Sequence, residues 1–292
     1  MSFLFIGLMR CLAFLPLPVL RALGRALGWL LWTLAHSRRH IALTNLSLCF
    51  PEKSETEIQQ IAYDHFVYFA QSLLDRAWLW HAPRSKVQSR IKWSGSQEAI
   101  KLLEAEGSKV VFAPHFIGLD AGGTGITLRT DQPAAFIFMP QRNQVMDDWV
   151  SGGRLRFGNV KAYFRHTGVK QIMTGLRHGE MLHLSPDMDF GAHESIFVPF
   201  MGVETATVPS LSRFSRLGKA PVLMLVTRLT PEGYKVEASP VWQDFPTDNV
   251  EEDTIRMNQV LEAAIRISPA QYYWVHKRFK TRPEGQVSVY KN

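Results

Sequence analysis

From about residue 96 to residue 267 the chain alternates segments of helical period with short runs of consecutive apolar residues, and this alternation restricts the fold more than any other feature. Short apolar runs bounded by turn signals read as strands buried on both faces, and helices between them supply the crossovers that parallel strands require. Strands are expected at 109–113, 134–139, 180–185, 221–229 and 234–242. Helices are expected at 96–107, after Gly118, and at 144–157, 168–177, 208–217 and 251–267. The predicted class is therefore α/β, with a mostly parallel central sheet flanked by helices and an antiparallel edge. The chain has 292 residues with no internal repeat or low-complexity linker. One α/β domain is expected over 84–292, behind an N-terminal helical region, 1–83.

The first fifty residues differ in kind. They contain Arg10, Arg21, Arg25, Arg38 and Arg39 and no acid; the first carboxylate is Glu52. Five of the seven excess positive charges thus lie here, and the remainder is nearly balanced, with 28 basic against 26 acidic residues. A nucleic-acid-binding protein would spread its basic residues over a folded face, so that class is disfavoured. The charge-free apolar runs, 11–20 and 26–37, are shorter than the roughly 18–20 residues of a spanning helix. Arginine-spaced, Trp-bearing apolar helices suit the boundary of an anionic lipid leaflet, with arginine stems snorkelling towards water. Pro16 and Pro18 should divide the segment into two helices. A cleaved signal peptide and a buried helical hairpin are the competing readings.

Ser54 followed three residues later by Glu57 is a capping box, which starts a helix carrying Ile58, Ile61, Phe66, Phe69, Leu73, Leu74 and Trp78 and closing before Pro83. Cys11 and Cys49 cannot form a disulfide framework, and no Cys/His spacing suggests a structural metal.

Chemistry enters at VVFAPHFIGLDAGG, where His115 and Asp120 form H-x-x-x-x-D directly after an expected strand. The composition alone yields about one such pair by chance, so context must decide. Residues five apart on a regular helix point about 140° apart, and the two can meet only if the chain turns between them. A strand end before His115 and a helix start near Gly118 supply that turn, at the sheet edge where α/β proteins place ligands. There His115 is expected to take a proton from an alcohol while Asp120 holds its tautomer; a histidine satisfied at a helix cap is the alternative. Arg142, Arg154, Arg156, Lys161 and Arg165 fit either a solvated face or a phosphate-binding series. Asp187 and Asp189, in LSPDMDFG, fit a metal-binding D-x-D or a structural turn.

The chain resembles the late acyltransferases of lipid A biosynthesis, the lauroyl and myristoyl transferases within the lysophospholipid acyltransferase superfamily. The resemblance runs from the basic apolar start through ALTNLSLCFPE, PHFIGLD, the R-x-N-x-x-x-D-x-W stretch at Arg142 to Trp149, GRLRFG, PDMDFG with FVPFMG, and QYYWVHKRFKTRP. It implies an enzyme at the cytoplasmic face of the bacterial inner membrane. That enzyme moves an acyl chain from acyl carrier protein to a hydroxyl of a phosphorylated glycolipid acceptor. It also implies that Asp187 and Asp189 lie on a substrate-side loop rather than a metal site. Many members carry Glu where this chain has Asp120, the form common in glycerolipid acyltransferases.

Under that resemblance, Arg142, Arg154 and Arg165 are the candidates for phosphate contacts on acceptor or donor. Lys277, Arg278, Lys280 and Arg282 are the candidates for docking an acidic carrier or the membrane surface. A thioester donor is already activated, so no cofactor or metal is expected. The alternatives are a lysophospholipid or glycerol phosphate acceptor, and a membrane lipid-binding protein without catalysis.

Overall fold

In the computed structural model, which describes residues 1–165 and 169–290, the alternating half of the chain forms a seven-stranded sheet. Its strands are β1 (Ile91–Gly95), β2 (Lys109–Phe112), β3 (Ala134–Phe138), β4 (Val160–Phe164), β5 (Met181–Leu184), β8 (Val222–Thr230) and β9 (Gly233–Ala238). A separate antiparallel hairpin pairs β6 (Ile196–Phe200) with β7 (Val203–Thr207). The spatial order is β1-β9-β8-β2-β5-β3-β4. The five strands from β8 to β4 are parallel, β9 returns antiparallel to β8, and β1 pairs parallel with β9. The expected parallel sheet with an antiparallel edge is thus present.

The helices are α1 (Ser2–Leu12), α2 (Leu17–Leu34), α3 (His36–Cys49), α4 (Glu55–His81), α5 (Arg84–Ser89), α6 (Gln97–Glu104), α7 (Leu119–Arg129), α8 (Gln144–Arg154), α9 (Val169–Arg177), α10 (Ser210–Gly218) and α11 (Val250–Ile267). The helix expected from residue 168 is described from Val169 onwards; residue 168 lies outside the described residues. Pro16 and Pro18 separate α1 from α2, with Pro18 in the first turn of α2, where a missing N–H costs nothing. Ser54 caps α4 with both bonds of the box in place: Glu57 N–H donates to Ser54 Oγ at 3.3 Å, and Ser54 N–H to Glu57 Oε2 at 2.9 Å.

Because neighbouring residues on a strand face opposite ways, the sheet divides the interior into two apolar cores. Val110, Phe112, Ala135, Leu184, Val222 and Met224 pack with α9, α10 and the first half of α4. Val111, Ala134, Met181, Leu223 and Leu225 pack with α1, α7 and the last turns of α4. The N-terminal helices therefore contribute to both cores. α2 lies directly against α4, because Gly24 and Gly28 leave no side chain between them. A Cβ on Gly24 would stand 2.5 Å from Gln71 Cγ, and one on Gly28 2.6 Å from Val67 Cα.

Arg21 departs from the expectation of a snorkelling arginine. It is buried, ion-paired with Asp75, and donates to the carbonyls of Thr230 and Gly233 at 3.2 and 3.3 Å. Arg10 and Arg25 are exposed. Beside them the outer faces of α1 and α2 present Phe3, Leu4, Leu8, Leu23, Trp29, Leu30 and Leu34, with Phe14 on the turn between the two helices; Phe14 is 86% and Leu4 80% exposed. Among the described residues, no helix is long and apolar enough to cross a membrane.

Candidate active site

The strand β2 ends at Phe112, and Ala113-Pro114 carries the chain out of the sheet to His115 before α7 begins at Leu119. Gly118 is required at the turn into α7, since a Cβ there would stand 2.5 Å from Thr227 O. His115 is fixed on three sides. Its N–H donates to Asp187 Oδ2 at 2.8 Å, its Nδ1 lies 2.7 Å from Asp187 Oδ1, and its carbonyl accepts from Tyr273 N–H at 3.0 Å. Asp187 is fully buried just beyond the end of β5. Burial pushes its carboxyl towards protonation, but the charge and hydrogen bonds of His115 outweigh this and hold it below the usual carboxylate range. An ionised carboxylate only accepts, so Nδ1 carries a proton, and Nε2 is the ring nitrogen left to exchange one.

The expected His115–Asp120 contact is replaced by two separate arrangements. Asp120, in the first turn of α7, accepts from Arg76 Nε and Arg154 Nε at 2.9 Å each, with Arg76 Nη2 at 2.8 Å. Its burial is outweighed by the Arg154 and Arg76 guanidinium groups, which hold the carboxyl far below the usual range. Two guanidinium groups on one carboxylate leave a net positive charge, and Asp120 and Arg154 line the same cavity as His115. The physical reason for the substitution is register: Asp120 is committed to a helix whose first turn faces α4 and α8. Asp187, leaving the neighbouring strand, reaches the His115 ring directly.

His115, Asp120 and Arg154 open into a cavity of about 760 Å³ at the carboxyl ends of β2, β3 and β5, within the range of about 300–1,000 Å³ common for small-molecule sites. Its walls are largely apolar, with Phe136, Ile137, Ile172 and Phe214 among them. His183, on β5, also lines it; burial and the positive Arg154 keep this imidazole neutral, with its pKa lowered to about 4.

The other sequence candidates divide. Arg165 lies at the cavity rim, ion-paired with Glu194 at 2.8 Å and stacked 3.8 Å over the Phe190 ring. Arg142 is exposed and does not line the cavity; in the stretch that follows it, Asn143 caps α8 through Met146 N–H at 3.1 Å and Trp149 donates to His81 Nε2 at 3.0 Å. Asp189 accepts from Thr281 N–H at 2.6 Å and Thr281 Oγ1 at 2.8 Å, which ties its loop to the C-terminal segment. Asp187 and Asp189 are therefore turned towards protein groups, not towards the open cavity. Lys277 and Lys280 are exposed and Arg282 is half-buried, but Arg278 is buried, donating to Ala206 O at 2.7 Å and Thr207 Oγ1 at 2.9 Å. Arg156 donates to the carbonyls of Leu79 and Ala82, and Lys161 pairs with Glu180.

Sequence reasoning missed Arg76, His183 and the tyrosines of QYYW as parts of the site. Tyr272 OH donates to the Asp187 carbonyl at 3.2 Å, and Tyr273 holds the His115 backbone. The stretch beginning QYYW is visible in the sequence, but its pairing with the His115 loop spans more than 150 residues.

Residues 1–281 match the family described as bacterial lipid A biosynthesis acyltransferase. The chain is similar to the lipid A biosynthesis palmitoleoyltransferase of Escherichia coli strain K12, 33% identical over 280 residues, 94% of this chain and 90% of that protein. It is 31% identical to the lipid A biosynthesis lauroyltransferase of the same strain over 294 residues, 99% of this chain and 94% of that protein. It is 32% identical to the lipid A biosynthesis myristoyltransferase over 277 residues, covering 94% and 84%.

Proposed function

This chain belongs to the bacterial lipid A biosynthesis acyltransferase family and is an acyltransferase, and from that premise we propose a reaction and a place for it. The acyl donor is a thioester on acyl carrier protein, and the acceptor is a hydroxyl of a phosphorylated, acylated lipid A precursor. The observation that supports this best is the His115–Asp187 pair opening into an apolar cavity beside a carboxylate held by two arginines.

In this reading, Nε2 of His115 takes the proton of the acceptor hydroxyl as its oxygen bonds to the thioester carbonyl carbon. Asp187 keeps the ring in the required tautomer and stabilises the imidazolium that forms. The net positive charge of the Arg76–Asp120–Arg154 group favours negative charge near His115, either the oxyanion of the tetrahedral intermediate or a phosphate of the acceptor. Collapse of the intermediate breaks the C–S bond, and the departing thiolate recovers the proton from His115. Arg165, at the rim, suits a phosphate or phosphopantetheine. Exposed Lys277 and Lys280 suit an acidic carrier protein.

The outer faces of α1 and α2 are proposed to lie in the surface of the inner membrane on its cytoplasmic side, with Arg10 and Arg25 at the headgroups. α1 connects this face to the site: Phe5 packs edge-on against Trp149 of α8 at 5.4 Å, and α8 ends in Arg154. The test is mass spectrometry of lipid A from a strain lacking the protein. Loss of one secondary acyl chain supports the assignment, and an unchanged lipid A alongside an altered phospholipid profile contradicts it.

A further inference from the structure

Adjacent residues of β3 point to opposite faces of the sheet, and both faces open into the one cavity. Ala134 and Phe136 line it with Gly123 and Ile126 of α7, Val160 and Met181. Ala135 and Ile137 line it with Ile172 of α9, Leu184, and Phe214 and Leu217 of α10. Ala134, Ile126 and Met181 belong to the apolar core on the α7 side, whereas Ala135, Ile172, Leu184 and Phe214 belong to the core on the other side. The cavity is thus two apolar arms straddling the sheet, joined at its carboxyl edge, where His115, Ser185 and Pro186 form the wall.

We infer that this cavity binds two hydrocarbon chains at once, the donor's acyl chain in the arm under α7 and a chain of the acceptor lipid in the arm under α9 and α10. The inference rests on the acyltransferase reading above for the identity of the two amphiphiles. Ester formation must bring two lipids to one imidazole, and a site with a single arm would shelter only one of them from water. The arms differ as the two substrates do. The α7 arm is lined at depth by the buried Met181, Ala134 and Ile126, a closed end suited to one chain of limited length. The opposite arm is lined by Val169 and Leu217, which are 54% and 49% exposed. An open side admits a chain that remains tethered to a headgroup and to sister chains. Met139 and Phe190 continue the exposed apolar rim at the mouth.

Two substitutions address the arms separately. A Cβ on Gly123 meets nothing within 4 Å, so Gly123→Leu fills the α7 arm while favouring the helix. Ile137→Trp fills the other arm. Full-length protein is titrated with a fluorescent fatty acid displaceable by unlabelled fatty acid, and binding is counted above that of the double variant. Wild type is expected to bind two equivalents and each single variant one. In transfer assays Gly123→Leu should shift preference towards shorter donors. Ile137→Trp should keep the donor order and raise the acceptor KM about tenfold, a change of roughly 1.4 kcal/mol. Loss of both equivalents in either single variant, or a shift of donor preference by both, overturns the two-arm assignment. Should the larger side chains impair folding, Gly123→Met and Ile137→Phe give the same comparison. A wild type that binds two chains and transfers none supports the two-chain site and removes the acyltransferase reading.

Discussion

Asp187 Oδ1 lies 2.7 Å from His115 Nδ1, and the same carboxylate accepts the His115 backbone N–H through its other oxygen at 2.8 Å, across 72 residues of chain. One buried carboxylate thereby fixes both the position and the tautomer of the imidazole. Asp187→Asn keeps the shape but can offer an N–H where an acceptor is needed, favouring the wrong tautomer. The expected result is a fall in kcat of about 10³–10⁴-fold, with acceptor KM nearly unchanged and the circular dichroism spectrum of the wild type. Steady-state transfer kinetics check this, and near-normal turnover would return the orienting role to another group.

Asp120 has a different job and a different signature. Its neutralisation in Asp120→Asn leaves Arg76 and Arg154 facing each other without a counter-charge, at an expected cost of about 3–5 kcal/mol for breaking a largely buried pair. Because the folded-state pKa is depressed by the two arginines, its stabilising contribution is complete above the unfolded carboxylate value. It is lost as pH falls below about 4. Urea unfolding midpoints measured from pH 7 to pH 3 should fall for wild type and change less for Asp120→Asn.

The α2–α4 contact makes a paired prediction about packing. Gly28→Val places a side chain where Val67 Cα already stands, and overpacking of this kind costs about 1–3 kcal/mol. Gly7→Ala in α1 meets nothing within 4 Å and should be neutral or stabilising by roughly 0.5–1 kcal/mol. Thermal unfolding of the two variants in the same detergent separates a close helix contact from a general effect of glycine replacement.

The layer architecture could be read from the chain because buried strands and amphipathic helices differ in period. Strands such as 109–112 and helices such as 55–81 fall where that pattern puts them. The edge strands β1 and β4 escaped notice for a physical reason. Half-exposed IKWSG and VKAYF carry charges and small residues, and resemble the loops beside them. The hairpin β6–β7, interrupted by Pro199, was hidden in the same way. At the site, His115 was legible because a strand end and a glycine turn frame it. Its partner was not, because H-x-x-x-x-D offers a nearby acid and sequence spacing carries no information about the neighbouring strand that delivers Asp187. Arg21 illustrates the same limit: its burial depends on Asp75, 54 residues away.

Membrane attachment through α1 and α2 is tested by vesicle flotation. Each large apolar side chain that becomes fully buried contributes about 1.5–3 kcal/mol, so replacing Phe3, Leu4, Phe14 and Trp29 with glutamine should move the protein out of the floating fraction. High salt should release the wild type poorly, since apolar burial is not screened. Complete release by salt alone would show that charge, not the apolar face, holds it.

His115 is the proposed base of the acyl transfer, and the most direct measurement uses purified full-length protein, labelled acyl carrier protein thioester and a lipid A precursor. Wild type should move label to the precursor. His115→Ala, folded and still associated with vesicles, should lose transfer by at least about 10²–10⁴-fold, the usual contribution of a general base. Transfer by His115→Ala at the wild-type rate would contradict the account.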